Sequence, residues 1–236
     1  MPTVSLSVEH NMTTIKAIIF DMDGLLVDSE PVWDEARVAM AARHNRLWTQ
    51  ADHFNVMGVS TDEWTTYMIE RLELTLSPKV VREEVINQME VMYQRQIPFR
   101  PFAVETVQWA ASHYPTALAS GSPRQLIELV TDSAEMRGCF EVILAADEVR
   151  AGKPNPAVYL ETALRLGVTP ETCVCLEDSA NGVLSGHRAG MFVVNIPDPR
   201  YPLTIEQARY ANVVLDSLAD FTAVTLQKLE NSRTTK

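Results

Sequence analysis

Cysteine, histidine and basic residues are all in short supply, and each shortage closes off a class of protein. Three cysteines (Cys139, Cys173 and Cys175) occur among 236 residues. An odd count gives no complete disulfide framework. Cys173 and Cys175 alternate within the apolar run Cys173-Val174-Cys175-Leu176, where buried reduced thiols are expected. No histidine or further cysteine is spaced to complete a metal site with them, and the five histidines have no ligand spacing of their own. Lysine and arginine together number 20 against 31 acids, a formal net charge of −11. Nucleic acid and anionic membrane surfaces both need a basic face, so neither is an expected partner. Any phosphate site must be locally basic against an unfavourable overall field. No apolar run reaches membrane length and no signal-peptide pattern is present, so a cytoplasmic protein is expected. No internal repeat or low-complexity segment stands out.

What is present is the composition of an ordinary globular protein, 46% hydrophobic and 22% charged. Its most informative stretch is Ile15-Lys16-Ala17-Ile18-Ile19-Phe20-Asp21-Met22-Asp23-Gly24. An apolar, β-branched run of this length fits a buried parallel strand. The two acids should therefore sit just beyond its carboxyl end, where open α/β sheets bind their ligands. Residues 1–14 have weak periodicity and read as a mobile arm. From Pro31 to about Gln96 the spacing is helical, with Trp33, Ala36 and Met40, then Trp64, Met68 and Leu72, then Val81, Val85 and Met89 on repeating faces. Strands and helices then alternate, with strands expected at 116–119, 141–145, 172–176, 192–196 and 213–215. Ser122 and Ser179 read as helix caps, and a closing helix is expected over 218–229. The expected fold is a doubly wound, mostly parallel α/β (Rossmann-like) sheet with an inserted all-helical cap domain. Its core comprises residues 15–30 and 98–230, the cap 31–97 and a short tail 231–236.

Several expected strands end in polar residues: Asp21 and Asp23, then Ser120, then Glu177 and Asp178, with Lys153 in a loop between the last two. Carboxylates gathered in one cleft repel one another, at about 4 kcal/mol for two charges 4 Å apart at an effective dielectric of 20. A cation relieves this, and hard oxygen donors without histidine or cysteine point to Mg²⁺. With it, one aspartate can attack phosphorus and a neighbouring acid can protonate the leaving alkoxide. Lys153 and Ser120 would hold the phosphoryl oxygens. Spacing alone does not say which acid does which job.

Four segments, Asp21-Met22-Asp23-Gly24, Leu118-Ala119-Ser120-Gly121-Ser122-Pro123, Gly152-Lys153-Pro154 and Leu176-Glu177-Asp178-Ser179, resemble in order the four motifs of the haloacid dehalogenase superfamily. The stretch from Asp21 to Pro31 is similar to members with a helical cap after the first motif, such as sugar-phosphate phosphatases of the 2-deoxyglucose-6-phosphatase kind and β-phosphoglucomutase. The resemblance implies that Asp21 is the nucleophile and a Mg²⁺ ligand. Asp23 is the general acid/base and lends its backbone carbonyl to the metal. Asp178 completes the metal site, with Glu177 bound directly or through water. Ser120, Gly121 and Lys153 would bind the phosphate. Glu30 is expected to bind substrate, with specificity lying on the cap and the loop around Glu30 and 58–61. The second acid, Asp23, disfavours dehalogenation.

Two departures weaken a mutase reading. Thr61 stands where β-phosphoglucomutase carries an arginine for the distal phosphate, and Pro123-Arg124 replaces a Lys-Asn pair. The expected function is therefore a Mg²⁺-dependent phosphatase of small phosphate esters, hexose 6-phosphates above all, working as a monomer through an aspartyl-phosphate. A β-phosphoglucomutase-like mutase is the alternative enzyme, and a non-catalytic phospho-sugar sensor the alternative of another class. Trp33, Trp64 and the methionines read as core, and Arg124 as a surface arginine.

Overall fold

The structure, a computed structural model, describes residues 14–57, 59–145 and 148–233. The expected N-terminal arm lies almost wholly outside them, as does Gly58. Among the described residues six parallel strands form one sheet in the order β3-β2-β1-β4-β5-β6. They are β1 (Ala17–Phe20), β2 (Thr116–Ser120), β3 (Val142–Ala145), β4 (Cys173–Glu177), β5 (Phe192–Asn195) and β6 (Val213–Val214). The doubly wound α/β class expected from the sequence is the one observed.

β1 lies in the middle, paired on one side with β2 and on the other with β4. Its neighbours reverse the direction of strand succession there, which makes the gap beyond β1 and β4 the ligand crevice of such a sheet. Side chains alternate between the two faces. Ile18 and Phe20 join Leu118, Leu176 and Val194 in one core, while Ala17 and Ile19 join Ala117, Cys175 and Val193 in the other. All four residues of β1 are completely buried, which explains the absence of a polar position within it.

Four helices follow β1: α1 (Glu30–Arg43), α2 (Gln50–Asn55), α3 (Thr61–Leu72) and α4 (Pro78–Arg95). Capping boxes start α2 and α3, pairing Thr49 with Asp52 and Ser60 with Glu63. Buried Val81, Val85, Met89 and Tyr93 form the inner stripe of α4, which packs against α1, α3 and, on the sheet side, α6 (Arg124–Thr131). Chain leaving and re-entering the sheet region pairs with itself: the Arg100 amide donates to the Leu26 carbonyl (2.8 Å) and the Asp28 amide to Pro98 (2.9 Å). The remaining helices are α5 (Ala103–Ala111), α7 (Ala157–Leu166), α8 (Ala180–Arg188), α9 (Ile205–Ala208) and α10 (Ala223–Arg233).

Three local expectations need correction. Ser122 does not cap α6; Pro123 is extended (φ −57°, ψ 142°), so the helix starts at Arg124, and the Ser122 amide instead donates to Ser120 Oγ (3.0 Å). The closing helix is broken into a 3₁₀ turn at Leu218–Asp220 and α10, which continues to Arg233 and absorbs the start of the expected tail. Glu177 does not lie beyond a strand but is the last residue of β4, fully buried. No helix among the described residues is long and apolar enough to cross a membrane.

Candidate active site

The strand ends bring the expected acids together. Asp21 follows β1 directly and its amide donates to the Leu176 carbonyl at 3.1 Å, extending the β1–β4 pairing by one step. Asp178 follows β4. Oxygens of Asp21, Glu177 and Asp178 all lie within 4.8 Å of one another. Two glycines make this approach possible. A Cβ on Gly24 (φ +78°) would stand 1.9 Å from Asp178 Oδ2, and one on Gly182 in α8 would stand 1.9 Å from Glu177 Oε2. The donor set is oxygen alone, which fits a hard divalent cation such as Mg²⁺.

Lys153 reaches in from the loop before α7. Its ammonium is 2.6 Å from Asp21 Oδ1, 2.5 Å from Glu177 Oε1 and 3.0 Å from the Ala119 carbonyl. That loop is anchored from α8, where Ser185 Oγ donates to the Asn155 carbonyl (2.7 Å) and Arg188 to Pro154 (3.0 Å). Tyr159 in α7 donates its hydroxyl to Glu177 and lies with its ring 5.1 Å beneath the Lys153 ammonium. Asn195 at the end of β5 donates to the Glu177 carbonyl (3.0 Å). Sequence reasoning missed Tyr159 and Asn195. Each lies 18 positions from Glu177, and no local pattern marks them.

One lysine does not neutralise three carboxylates. Burial, then the neighbouring Glu177, pushes the Asp21 carboxyl up to about 8, although Lys153 opposes the shift. Asp178 is raised well above the usual carboxylate range by burial and by Asp21 and Glu177. Burial disfavours the Lys153 charge, but Asp21 and Glu177 outweigh it and raise the pKa. A bound cation would remove the conflict and hold the acids ionised.

Asp23 stands apart from the oxygen trio. Its Oδ2 accepts a hydrogen bond from Ser120 Oγ (3.1 Å), and its Oδ1 is buried without a partner. Gly121 is exposed at the end of β2, with open space where a Cβ would stand. Glu30, the first residue of α1, lies 3.7 Å from His53 Nε2 and is partly buried. Burial raises its pKa, with Asp23 and Asp28 adding to the rise and Arg37 and Arg200 opposing it. Arg124 behaves as a surface arginine, paired with Glu128 and Glu148 at 3.0 Å each. Arg37 was also missed. Its signal was available: a charge on the same helical stripe as Trp33, Ala36 and Met40.

A family model described as a haloacid dehalogenase-like hydrolase matches residues 15–190. The chain is 35% identical over 218 residues to a hexitol phosphatase B of Escherichia coli O157:H7, covering 89% of this chain and 95% of that protein. It is 36% identical over 213 residues to a probable pseudouridine-5'-phosphatase of Drosophila melanogaster, covering 86% of this chain and 90% of that one. In fold it is similar to the crystal structure of β-phosphoglucomutase from Clostridium difficile, with a TM-score of 0.78 over 94% of this chain and 100% of that one, at 22% identity. The extent of the family match and the level of identity lead to one conclusion: the chain belongs to the haloacid dehalogenase-like hydrolases, among their phosphatases.

Proposed function

We propose that the chain is a Mg²⁺-dependent phosphatase of small phosphorylated metabolites, with sugar phosphates of the hexose 6-phosphate type as substrates, acting through an aspartyl-phosphate on Asp21. The observation that carries this reading is the meeting of Asp21, Glu177 and Asp178 with the Lys153 ammonium at the crevice between β1 and β4. The identity to a hexitol phosphatase supports the substrate class.

Asp21 Oδ attacks phosphorus, the ester bond breaks, and Asp23 delivers its proton to the departing alkoxide oxygen. Ser120 holds one Asp23 oxygen, and the other has no protein partner to compete with the leaving group. Water then attacks the aspartyl-phosphate, with Asp23 taking back a proton. Lys153, Ser120 and the backbone at Gly121 bind the phosphoryl oxygens as charge shifts among them. Asp21, Asp178 and Glu177, with the Asp23 carbonyl, would hold Mg²⁺, which supplies charge neutralisation at the phosphoryl group. Residues 31–97 act as a cap that covers the crevice and excludes bulk water, hinged where 26–28 pairs with 98–100. All of these groups come from one chain, so a monomer suffices. A mutase reading has less support, because Arg124 is engaged by Glu128 and Glu148 and Thr61 offers no charge for a second phosphate.

The test is phosphate release from a panel of sugar phosphates. Release should require Mg²⁺, stop in chelator, and disappear in a folded Asp21→Asn variant. Release that persists in that variant overturns the mechanism. Conversion of a sugar 1-phosphate to its 6-phosphate with bisphosphate primer would establish the mutase instead.

A further inference from the structure

On the helical side of the crevice stands a buried arginine with an unusual environment. Arg37 in α1 is 4% exposed. Its guanidinium carbon lies 5.1 Å from the Trp33 ring centroid and 5.5 Å from that of Trp64, two rings whose own centroids are 5.9 Å apart and which are tilted by 59°. Neither Nε nor Nη1 has a hydrogen-bond partner. Glu30 and Asp34 supply the opposing charge, and His53 lies 3.7 Å from the first and 3.4 Å from the second. Across from this group, the Tyr93 hydroxyl of α4 is also buried and partnerless, and it feels the charges of Asp23 and Glu30. Nine buried side-chain atoms lack a partner among the described residues, and seven belong to Asp23, Ser29, Asp34, Arg37, His53 and Tyr93. Glu30 opens α1 three residues beyond Val27, which bridges to Asp23, so the cluster adjoins the catalytic acid.

A buried donor left unpaired costs about 1–3 kcal/mol, and more when it is charged. A purely structural arginine would be expected to make its hydrogen bonds within the protein. Arg37 is instead held beside two indole rings by cation–π contact while two of its donor atoms, Nε and Nη1, remain unused.

Resting on the phosphatase reading above, we propose that Arg37 and Glu30 read the leaving group, and that the substrate is the phosphate ester of an uncharged polyhydroxylated compound. Arg37 can only donate and ionised Glu30 can only accept, whereas a hydroxyl does both, so neighbouring hydroxyls match the pair. A second phosphate or a carboxylate on the substrate would meet Glu30 and Asp34. Arg37 is already balanced by these two acids, and like charges at 4 Å oppose each other by about 4 kcal/mol at an effective dielectric of 20. Trp33 and Trp64 then have a role beyond filling the core: their rings hold the guanidinium in place by cation–π contact.

The experiment compares sorbitol 6-phosphate, fructose 1,6-bisphosphate and p-nitrophenyl phosphate in the unaltered protein and in Arg37→Met and Arg37→Lys variants. Arg37→Met should lower the kcat/KM ratio of sorbitol 6-phosphate to the aryl ester at least tenfold, chiefly through KM. Arg37→Lys should restore only part of it, since an ammonium lacks the fork. A structural role would instead reduce turnover of all three esters together with the melting temperature, and that result overturns the proposal. A selective loss of the bisphosphate also overturns it, by making Arg37 an anion clamp. Calorimetric binding of sorbitol 6-phosphate to Asp21→Asn protein, with and without Arg37→Met, reads the pocket without turnover. At least tenfold weakening supports the proposal; equal binding, or none to either protein, overturns it. Binding that depends on Arg37 without phosphate release from any ester by the unaltered protein would overturn the phosphatase reading alone.

Discussion

Gly24 and Asp178 occupy adjoining space: a Cβ at position 24 would stand 1.9 Å from Asp178 Oδ2 and 2.7 Å from its Cγ. The turn that follows the first two acids therefore leaves just enough room for the third. Gly24 also has φ +78°, a conformation that costs an L-residue roughly 1–2 kcal/mol. Gly24→Ala should displace the Asp178 carboxylate while β1 and β4 remain paired. We expect phosphate release to fall at least a hundredfold and Mg²⁺ affinity at least tenfold. Isothermal titration with Mg²⁺ separates this from simple unfolding, which far-UV circular dichroism would report.

Without a bound cation, the raised Asp21 and Asp178 carboxyls make stability fall as pH rises. Asp21 takes up its proton near pH 8 when folded, against 3.8 for the ordinary group, so between those values the folded state holds more protons than the unfolded one. Raising pH across that window favours unfolding, and Asp178 acts in the same direction. Urea midpoints in chelator should therefore decline from pH 5 to pH 8 more steeply than in Asp21→Asn protein. Saturating Mg²⁺ should flatten or reverse the slope, because a cation bound to ionised acids prefers high pH.

Tyr159 tests how far the buried base of the site depends on a single hydroxyl. Tyr159→Phe keeps the ring beneath Lys153 and removes only the donor to Glu177. Leaving a buried acceptor short of one bond costs about 1–3 kcal/mol. We expect a loss of that order in urea unfolding. A modest fall in kcat, about tenfold or less, should accompany it as Glu177 and Lys153 readjust.

These residues also show what a linear reading can and cannot reach. Asp21 and Asp23 were legible because an apolar run ends abruptly in acids, and a fully buried central strand has no polar position to offer. Ser120 and Asp178 were legible as polar residues at expected strand ends and Lys153 as a loop cation, but their particular roles came from the ordered motifs, since their meeting depends on strand order rather than on spacing. Glu177 was expected just past the end of a strand over 172–176. It lies within β4 because Lys153 and Tyr159 satisfy its carboxylate from two other segments, while Asn195 takes its backbone carbonyl. Arg37 went unremarked although it is a charge on an apolar stripe, and the two indoles beside it come from different helices, so its use became visible only in three dimensions.

The two linker segments share one electrostatic tether, and its strength is open to measurement. Asp198, in the loop after β5, accepts from Arg100 at 2.9 Å and from Arg200 Nη2 at 2.5 Å, while Arg200 also bonds Asp28. Asp28 lies on the outgoing segment and Arg100 on the returning one, so a single buried carboxylate ties both to the sheet. The Arg200 hydrogen bonds hold the Asp198 carboxyl down at about 2, against 3.8 for the ordinary group. A lowered pKa gives stability that is present above the ordinary value and lost as pH falls through the folded one. The shift corresponds to at most about 2.5 kcal/mol, and solvent at the half-exposed Arg200 reduces it. Asp198→Asn should therefore destabilise the protein by about 1–2 kcal/mol at pH 7. The difference from the parent should shrink as pH falls through 3 and disappear only below about pH 2. If the tether also positions the cap proposed above, KM for a sugar phosphate should rise more than kcat falls, and an unchanged KM would restrict the tether to stability.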